Sequence, residues 1–432
     1  MKLTNELLNK LQENYQTNNS NSLIQNSVIK NGIRNTVFDN ATKAKHNYVF
    51  NVETKKGNIT SQKNSGRCWI FASLNMARVR AMEKLNVKEF EFSQNYLAFY
   101  DKLEKANSFL NNMSNHLDKP LNDRLVHSFI THPAPDGGYY EWFNGLIKKY
   151  GAVPKSIMEE TFHSGNTTEM NHLISLELLK AVKAMRNNPK DVQAIKEQAL
   201  TSVYDIVAKC LGVPPKSFSY EYHDKDDKYQ KIANITPSEF FNQYVGSEFN
   251  DKVDIIHDPR NIYPLGAKYT LKYQKSVYED QEVKMINVDL KDIKTAIINS
   301  LKDGNVVWFG CDVDPFKDNA TGIMDVNLYQ YDNAFNLQER LTKVDRINFY
   351  NSTLTHAMAF VGVNLDEQGN PITWKVENSW GKDCGKDGIF SMSDQWFDEY
   401  NFSAIVDAKY LDNKYLDESN PVVLLEPWDP LA

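Results

Sequence analysis

Among the four cysteines of this 432-residue chain, Cys68 stands where a thiol could do chemistry. It opens the stretch Cys68 to Leu85, in which Trp69, Ile70, Phe71, Leu74, Val79, Met82 and Leu85 carry apolar character around much of a helix. That pattern predicts a helix buried inside the domain, and Ser65 and Gly66 just before it suit a cap and a tight turn. A thiol in the first turn of such a helix meets unpaired N–H groups and the positive end of the macrodipole. Both favour thiolate, the nucleophilic form that covalent catalysis requires. The bland alternative is a buried structural cysteine. Far later, Leu354-Thr355-His356-Ala357-Met358 leads into an apolar strand whose edge would hold an imidazole rigidly. Glu377-Asn378-Ser379-Trp380-Gly381 follows a second strand. Taken alone, His356 reads as a satisfied core histidine.

The remaining candidates are weaker. Cys311 reads as a buried strand residue, Cys384 as a structural loop residue, and Cys210 ends an amphipathic helix with nothing to activate it. No C-x-x-C pair occurs, so neither a zinc knuckle nor a disulfide framework is indicated. His127 and His132 lack a third ligand at metal spacing, so no metal site is expected. Asp224–Lys231 reads as a solvated loop. With 49 basic and 56 acidic residues the net charge is −7, the wrong sign for neutralising phosphates, so nucleic acid is not an expected partner. The first residues lack the apolar core of a signal peptide, and no stretch approaches a membrane span. A reducing cytoplasm is the expected compartment.

The elements that must position these groups divide the chain in four. Residues 1–56 read as a surface arm, with a short helical pattern (Leu3, Leu7, Leu8, Leu11), an Asn/Thr/Ser-rich stretch and a short strand near Tyr48–Phe50. Residues 57–165 hold the nucleophile helix and a second helix after the turn Asp136-Gly137-Gly138. Residues 166–300 read as a mainly helical insertion with two amphipathic helices at 166–211. Residues 301–432 turn to strands, expected at Val306–Val313, Ala357–Val363, Thr373–Glu377, Gly388–Met392 and Ala404–Tyr410. Helix-rich first and strand-rich later is an α+β signature.

Gln62, then Ser65-Gly66-Arg67-Cys68-Trp69, resembles the nucleophile region of papain-like cysteine peptidases, without the first cysteine of the usual C-G-[SA]-C-[WY] signature. In such enzymes a histidine and an Asn-Ser-Trp-Gly segment occupy the places of His356 and Asn378–Gly381. His356 follows Cys68 by about 290 residues, against about 130–150 in the papain case, so a large insertion intervenes. With Phe92–Tyr96, Asp136-Gly137-Gly138, Met392–Phe397 and Pro427-Trp428-Asp429-Pro430, the arrangement resembles the bleomycin hydrolase and aminopeptidase C family over most of the chain.

The resemblance implies a papain-like α+β core with a helical insertion and an N-terminal arm. It implies a catalytic set of Cys68, His356 and Asn378, an oxyanion hole from the Gln62 amide and the Cys68 N–H, and support from Trp69 and Trp380. Peptides are the implied substrates, trimmed without cofactor or metal inside a homohexamer. An inactive or binding-only member, or one transferring the acyl group to another acceptor, would use the same scaffold. The tail differs: Pro430 is followed directly by Leu431-Ala432. In aminopeptidase members the terminal carboxylate meets the substrate's α-amino group. A tail about three residues shorter would set the Ala432 carboxylate on the order of 10 Å back. Oligopeptide endopeptidase activity, beside or instead of single-residue trimming, is therefore expected.

Overall fold

The computed structural model of the chain describes residues 1–246, 249 and 251–432. Cys68–Leu85 forms one helix, and every side chain from Cys68 to Val79 is buried, as its all-round apolar pattern requires. Asn86 closes it in the left-handed conformation that asparagine tolerates. Its start differs from expectation. Arg67 holds the cap position without a side-chain cap bond, and the Ser65 hydroxyl donates instead to the Gln62 carbonyl at 2.6 Å. The N–H groups of Cys68 and Trp69 therefore face the Cys68 side chain, while those of Ile70 and Phe71 bond the Arg67 carbonyl. Gly66 is required by space, since a Cβ there would come within 2.7 Å of the Asp136 Cβ.

Around this helix pack Gln94–Ser114, capped by the Ser93 hydroxyl on the Tyr96 N–H at 3.0 Å, and Tyr140–Tyr150. The two helices expected at 166–211 are Thr168–Asn187 and Val192–Leu211, which pack on each other and on Gln94–Ser114. Their buried stripes, Met170, Ile174, Leu178 and Val182 on one and Val203 and Val207 on the other, carry helical spacing.

The second half is a sheet centred on His356–Leu365. This strand pairs antiparallel with Val307–Cys311, setting His356 opposite Cys311, and with Pro371–Glu377, setting Ala359 opposite Glu377. Ile389–Ser393 continues the sheet on one side and Asn401–Val406 on the other. The outcome is α+β. The 166–300 segment is less uniform than expected. Val253–Ile256, Lys268–Leu271 and Lys284–Asn287 are strands that extend the same sheet beyond Asn401–Val406. Part of the region between the two core halves is therefore core itself. The charged stretch 224–231, read as a loop, supplies the turn and part of the second strand of a hairpin, Phe218–His223 with Tyr229–Ile235. Among the described residues no helix is long and apolar enough to cross a membrane, and no group of three or more His, Cys, Asp or Glu could hold a metal ion.

The N-terminal arm is more helical than its composition suggested, with helices at Asn5–Gln16, Asn19–Asn31, Ile33–Val37 and Asn40–Lys45. The short strand expected at Tyr48–Phe50 lies slightly later, at Val52–Glu53, against Gly362 and Val363. The arm is fastened by a buried histidine: His46 Nδ1 lies 2.7 Å from the Ser391 hydroxyl and Nε2 lies 3.1 Å from the Asp325 carboxylate. Sealed from solvent, this Ser–His–Asp set is a fastening and not a second catalytic centre. His46→Ala should remove a buried hydrogen bond from each partner and cost about 2 kcal/mol in urea unfolding; an unchanged midpoint would show that the arm is held elsewhere.

Candidate active site

Cys68 lies at the floor of the groove between the two halves. It shares a cavity of about 250 Å³ with His356, Ala357, Gly137 and Gly138. Burial pushes the Cys68 thiol up from its ordinary value, while the N–H groups of Ala357, Trp69 and Cys68 itself pull it back. Those amides belong to the helix start and to the strand that carries His356, so both halves of the molecule converge on the sulfur.

His356 is the first residue of its strand and is buried. Its Nε2 donates to Asn378 Oδ1 at 2.9 Å, leaving Nδ1 for the opposite side. Trp380 lies over the imidazole with ring centroids 4.8 Å apart and shields that bond from water. Lys317 sits over the outer face of the same indole at 4.3 Å. Burial pushes His356 down to about 4, against the pull of the Asn378 bond. Each group alone thus favours its neutral form, and a thiolate–imidazolium state must draw on the attraction between the two. Asn378 Oδ1 also accepts the Ser379 N–H at 2.8 Å, which fixes the amide's orientation.

Gln62 joins the same network. Its N–H donates to the Ser379 carbonyl at 2.8 Å and its Oε1 accepts from the Ser379 hydroxyl at 2.7 Å. One N–H of the side-chain amide donates to the Ser65 carbonyl at 2.5 Å. An amide nitrogen carries two hydrogens, so the second is available to a substrate oxygen. Trp69 supports the site from behind, its indole N–H donating to the Asp136 carbonyl at 2.8 Å. Gly138 must be glycine, because a Cβ would come within 2.6 Å of the Trp69 ring.

The wall opposite His356 is the Asp136-Gly137-Gly138 turn, held by groups that sequence reasoning missed. The Asp136 carboxylate accepts from the Gly66 N–H at 3.0 Å, Lys102 at 2.5 Å, Asn171 at 2.8 Å and the Thr167 hydroxyl. Burial raises its pKa, but Lys102 and these hydrogen bonds outweigh burial and hold it well below the ordinary carboxylate range. Lys105, also buried, donates to the Pro135 carbonyl at 2.9 Å and the Gly137 carbonyl at 2.7 Å, with Asp101 as its counter-ion at 2.8 Å. Beneath Cys68, Arg67 makes a two-pronged bond to Glu160 at 3.1 and 2.6 Å. The signal available for Lys102 and Lys105 was their spacing on one face of a helix otherwise rich in buried residues.

Ala432 does not line this cavity, but it packs on the same small core, containing Leu431, as Tyr139, Trp142 and Leu354 of the cavity wall. The tail turns back on itself, the Ala432 N–H donating to the Asp429 carbonyl at 2.9 Å. Arg260 pins the Asp429 carboxylate at 3.2 Å, Thr353 donates to the Pro430 carbonyl at 2.6 Å, and Leu431 is buried. Of the other cysteines, Cys311 is buried in its strand behind His356, while Cys210 and Cys384 are half-buried away from the cavity.

One further missed pair ties the halves together. Arg78, on the nucleophile helix, bonds Glu377 at 2.6 Å, with both side chains buried. Leaving one of two buried charges unpaired typically costs about 3–5 kcal/mol, whereas replacing both by apolar groups is far milder. Arg78→Met and Glu377→Met should each be strongly destabilised in denaturant unfolding, and the double variant should regain most of the loss. Single variants that unfold like the parent would refute the coupling.

A profile of the Peptidase C1-like family matches residues 2–432. The chain is 37% identical to an aminopeptidase C of Listeria monocytogenes over 434 residues, covering 100% of this chain and 98% of that one. It is 36% identical to human bleomycin hydrolase over 405 residues, 90% of this chain and 89% of the relative. The crystal structure of PepW from Lactobacillus rhamnosis superposes with a TM-score of 0.96 at 37% identity, covering 100% of this chain and 98% of that one. With a papain-like α+β fold, a cysteine at the start of its buried helix and relatives along its whole length, the chain belongs to the Peptidase C1-like family, beside aminopeptidase C and bleomycin hydrolase, and is a cysteine peptidase.

Proposed function

We propose that the protein hydrolyses short unfolded peptides in the cytoplasm through a Cys68–His356–Asn378 triad. The observation that carries this reading is the His356–Asn378 bond at the wall of the cavity that also contains Cys68. Sulfur attacks the carbonyl carbon, a C–S bond forms, and the carbonyl oxygen takes up negative charge. The free N–H of Gln62 and the Cys68 N–H stabilise that charge only as it develops. His356 takes the thiol proton and passes it to the departing amine, leaving an acyl-enzyme. Water, deprotonated by His356, then releases the acid. Asn378 holds the imidazole in the tautomer that presents Nδ1 to sulfur.

The names of the relatives support removal of residues from a peptide's amino end. The tail supports a wider action. Folded into a turn and pinned through Asp429 and Pro430, it sets Ala432 beside the lining of the cavity next to Cys68 and not within it, which is the support for a chain extending past the amino-end stop. The proposal therefore includes cleavage within oligopeptides. Self-association is part of it as well: Leu3, Leu8, Leu11, Leu23 and Ile29 are exposed along the arm, an apolar surface suited to a partner copy.

Cys68→Ala should abolish hydrolysis in a chain that still folds, and more than a few per cent residual activity would end the assignment. Gln62→Ala should lower kcat about 100- to 1,000-fold. Asn378→Ala should leave weakened but measurable turnover, since orientation and not a proton is lost. The rate should be bell-shaped in pH, with limbs that belong to the Cys68–His356 pair jointly. For cleavage mode, a decapeptide and its N-acetylated form are digested and the products weighed. Internal cleavage of both supports the wider action; an untouched acetylated peptide beside stepwise loss from the free one restricts the enzyme to trimming.

A further inference from the structure

The indole that covers His356 is itself in contact with a charge that the mechanism does not use. Trp380 stacks on His356 with ring centroids 4.8 Å apart, and the Lys317 ammonium lies 4.3 Å from the centroid of the same indole. Laid end to end, those distances put Lys317 Nζ within about 9 Å of the imidazole. A cation on an indole is attracted to it, so Lys317 also helps to hold the ring in place.

The backbone that delivers this lysine is fixed. The Trp396 indole N–H donates to the Pro315 carbonyl at 2.8 Å, the Asp325 N–H to the Phe316 carbonyl at 3.1 Å and the Tyr329 hydroxyl to the Lys317 carbonyl at 3.2 Å. Lys317 pairs with Met324 in a short antiparallel ladder. Phe316, just before it, sits at φ 50°, a left-handed conformation that costs an aromatic residue free energy. Such strain persists where the surroundings over-determine it, and here it precedes the lysine held against Trp380.

The counter-ion of Lys317 faces a different medium. Nζ donates to the Asp314 carboxylate at 3.0 Å, but the lysine side chain is 8% exposed and the aspartate 80%. Water screens the carboxylate far more than the enclosed ammonium, so the field that reaches His356 is chiefly that of the cation. Beside the dominant effects of burial and the Asn378 bond, Lys317 pushes His356 down and Asp314, the weaker of the two, pulls it up. The other titratable groups nearby are engaged or are part of the pair. Cys68 shares the cavity with His356, and Cys311 lies opposite it on the next strand. Asp312 accepts from the Ser352 hydroxyl at 2.7 Å, Asp318 from the Thr321 hydroxyl at 2.6 Å, and Asp325 bonds His46 at 3.1 Å.

We propose that Lys317 is a positioning residue of the site, holding Trp380 over His356 and setting, through its charge, the pH range in which the Cys68–His356 pair works. This inference rests on the peptidase reading. A cation beside the pair favours loss of every proton the pair holds. It keeps the resting imidazole neutral to lower pH, and it makes the imidazolium a stronger acid towards the departing amine. By the same sign, both limbs of the bell-shaped rate lie at lower pH with Lys317 than without it.

The test is the pH dependence of kcat/KM on one oligopeptide at low ionic strength. It is read on the alkaline limb, above the range in which carboxyl groups titrate. Lys317→Met should move that limb up by about half to one pH unit. Asp314→Asn should move it down by about a quarter to half a unit, because the cation is then uncompensated. Lys317→Arg, which keeps the charge, should keep the parent's limb. Opposite shifts from the two ends of one ion pair are the mark of a charge; lost packing lowers the rate without moving the limb in opposite directions. A limb that stays in place in folded Lys317→Met, or shifts of one sign in both variants, would overturn the inference while the peptidase reading stands. Should Lys317→Met fail to fold, the exposed Asp314 decides: a limb that does not move down in Asp314→Asn overturns it. Absence of Cys68-dependent cleavage from the parent enzyme brings down the peptidase reading and this inference with it.

Discussion

The buried Arg78–Glu377 pair is the constraint on which the site depends. Arg78 lies ten residues along the helix that begins with Cys68, a distance of about 15 Å. Glu377 is the residue before Asn378. One guanidinium nitrogen reaches Glu377 at 2.6 Å, and another donates to the Asn58 carbonyl at 2.7 Å, at the start of the segment that leads to Gln62. Three parts of the chain that carry the proposed site are thus referred to one side chain. Gly57 is part of the same arrangement, for a Cβ there would press within 2.9 Å of the guanidinium. Burial pushes Glu377 up while Arg78 pulls it down, so the carboxylate owes its charge to its partner. The pair gives little stability over an apolar replacement; its contribution is to fix where the halves meet.

From that meeting point the site is built by short polar links and not by apolar packing. Asn378 orients His356, the Asn378 side chain is oriented by the Ser379 amide, and Ser379 holds both ends of Gln62. The imidazole of His356 and the side-chain amide of Gln62, proposed to move the proton and to receive the developing charge, are therefore positioned by adjacent residues. On the opposite wall, Lys102 and Lys105 replace the solvent around the Asp136–Gly138 backbone with fixed donors. Such preorganisation requires little reorganisation when charge develops on a substrate. Gln94–Ser114 supplies both lysines, and Thr168–Asn187 adds Asn171, through which the inserted region reaches the same wall.

What the sequence made legible follows from what is local. Cys68–Leu85 was readable because apolar residues fill all its faces, and the strand carrying His356 because its run is nearly uninterrupted. The strand Asn401–Val406 was placed too late, at Ala404–Tyr410, because Asn401 and Ser403 disguise its start; both are buried in the sheet. Val253–Ile256, Lys268–Leu271 and Lys284–Asn287 are each four residues, too short to register between helical patterns, and only sheet pairing identifies them. The catalytic candidates were found through motif order. Arg78 was not, because its burial is set by Glu377 and Asn58, remote from it in sequence or outside its helix. The path of the tail was likewise beyond reach: its turn depends on Arg260 and Thr353, far from it along the chain.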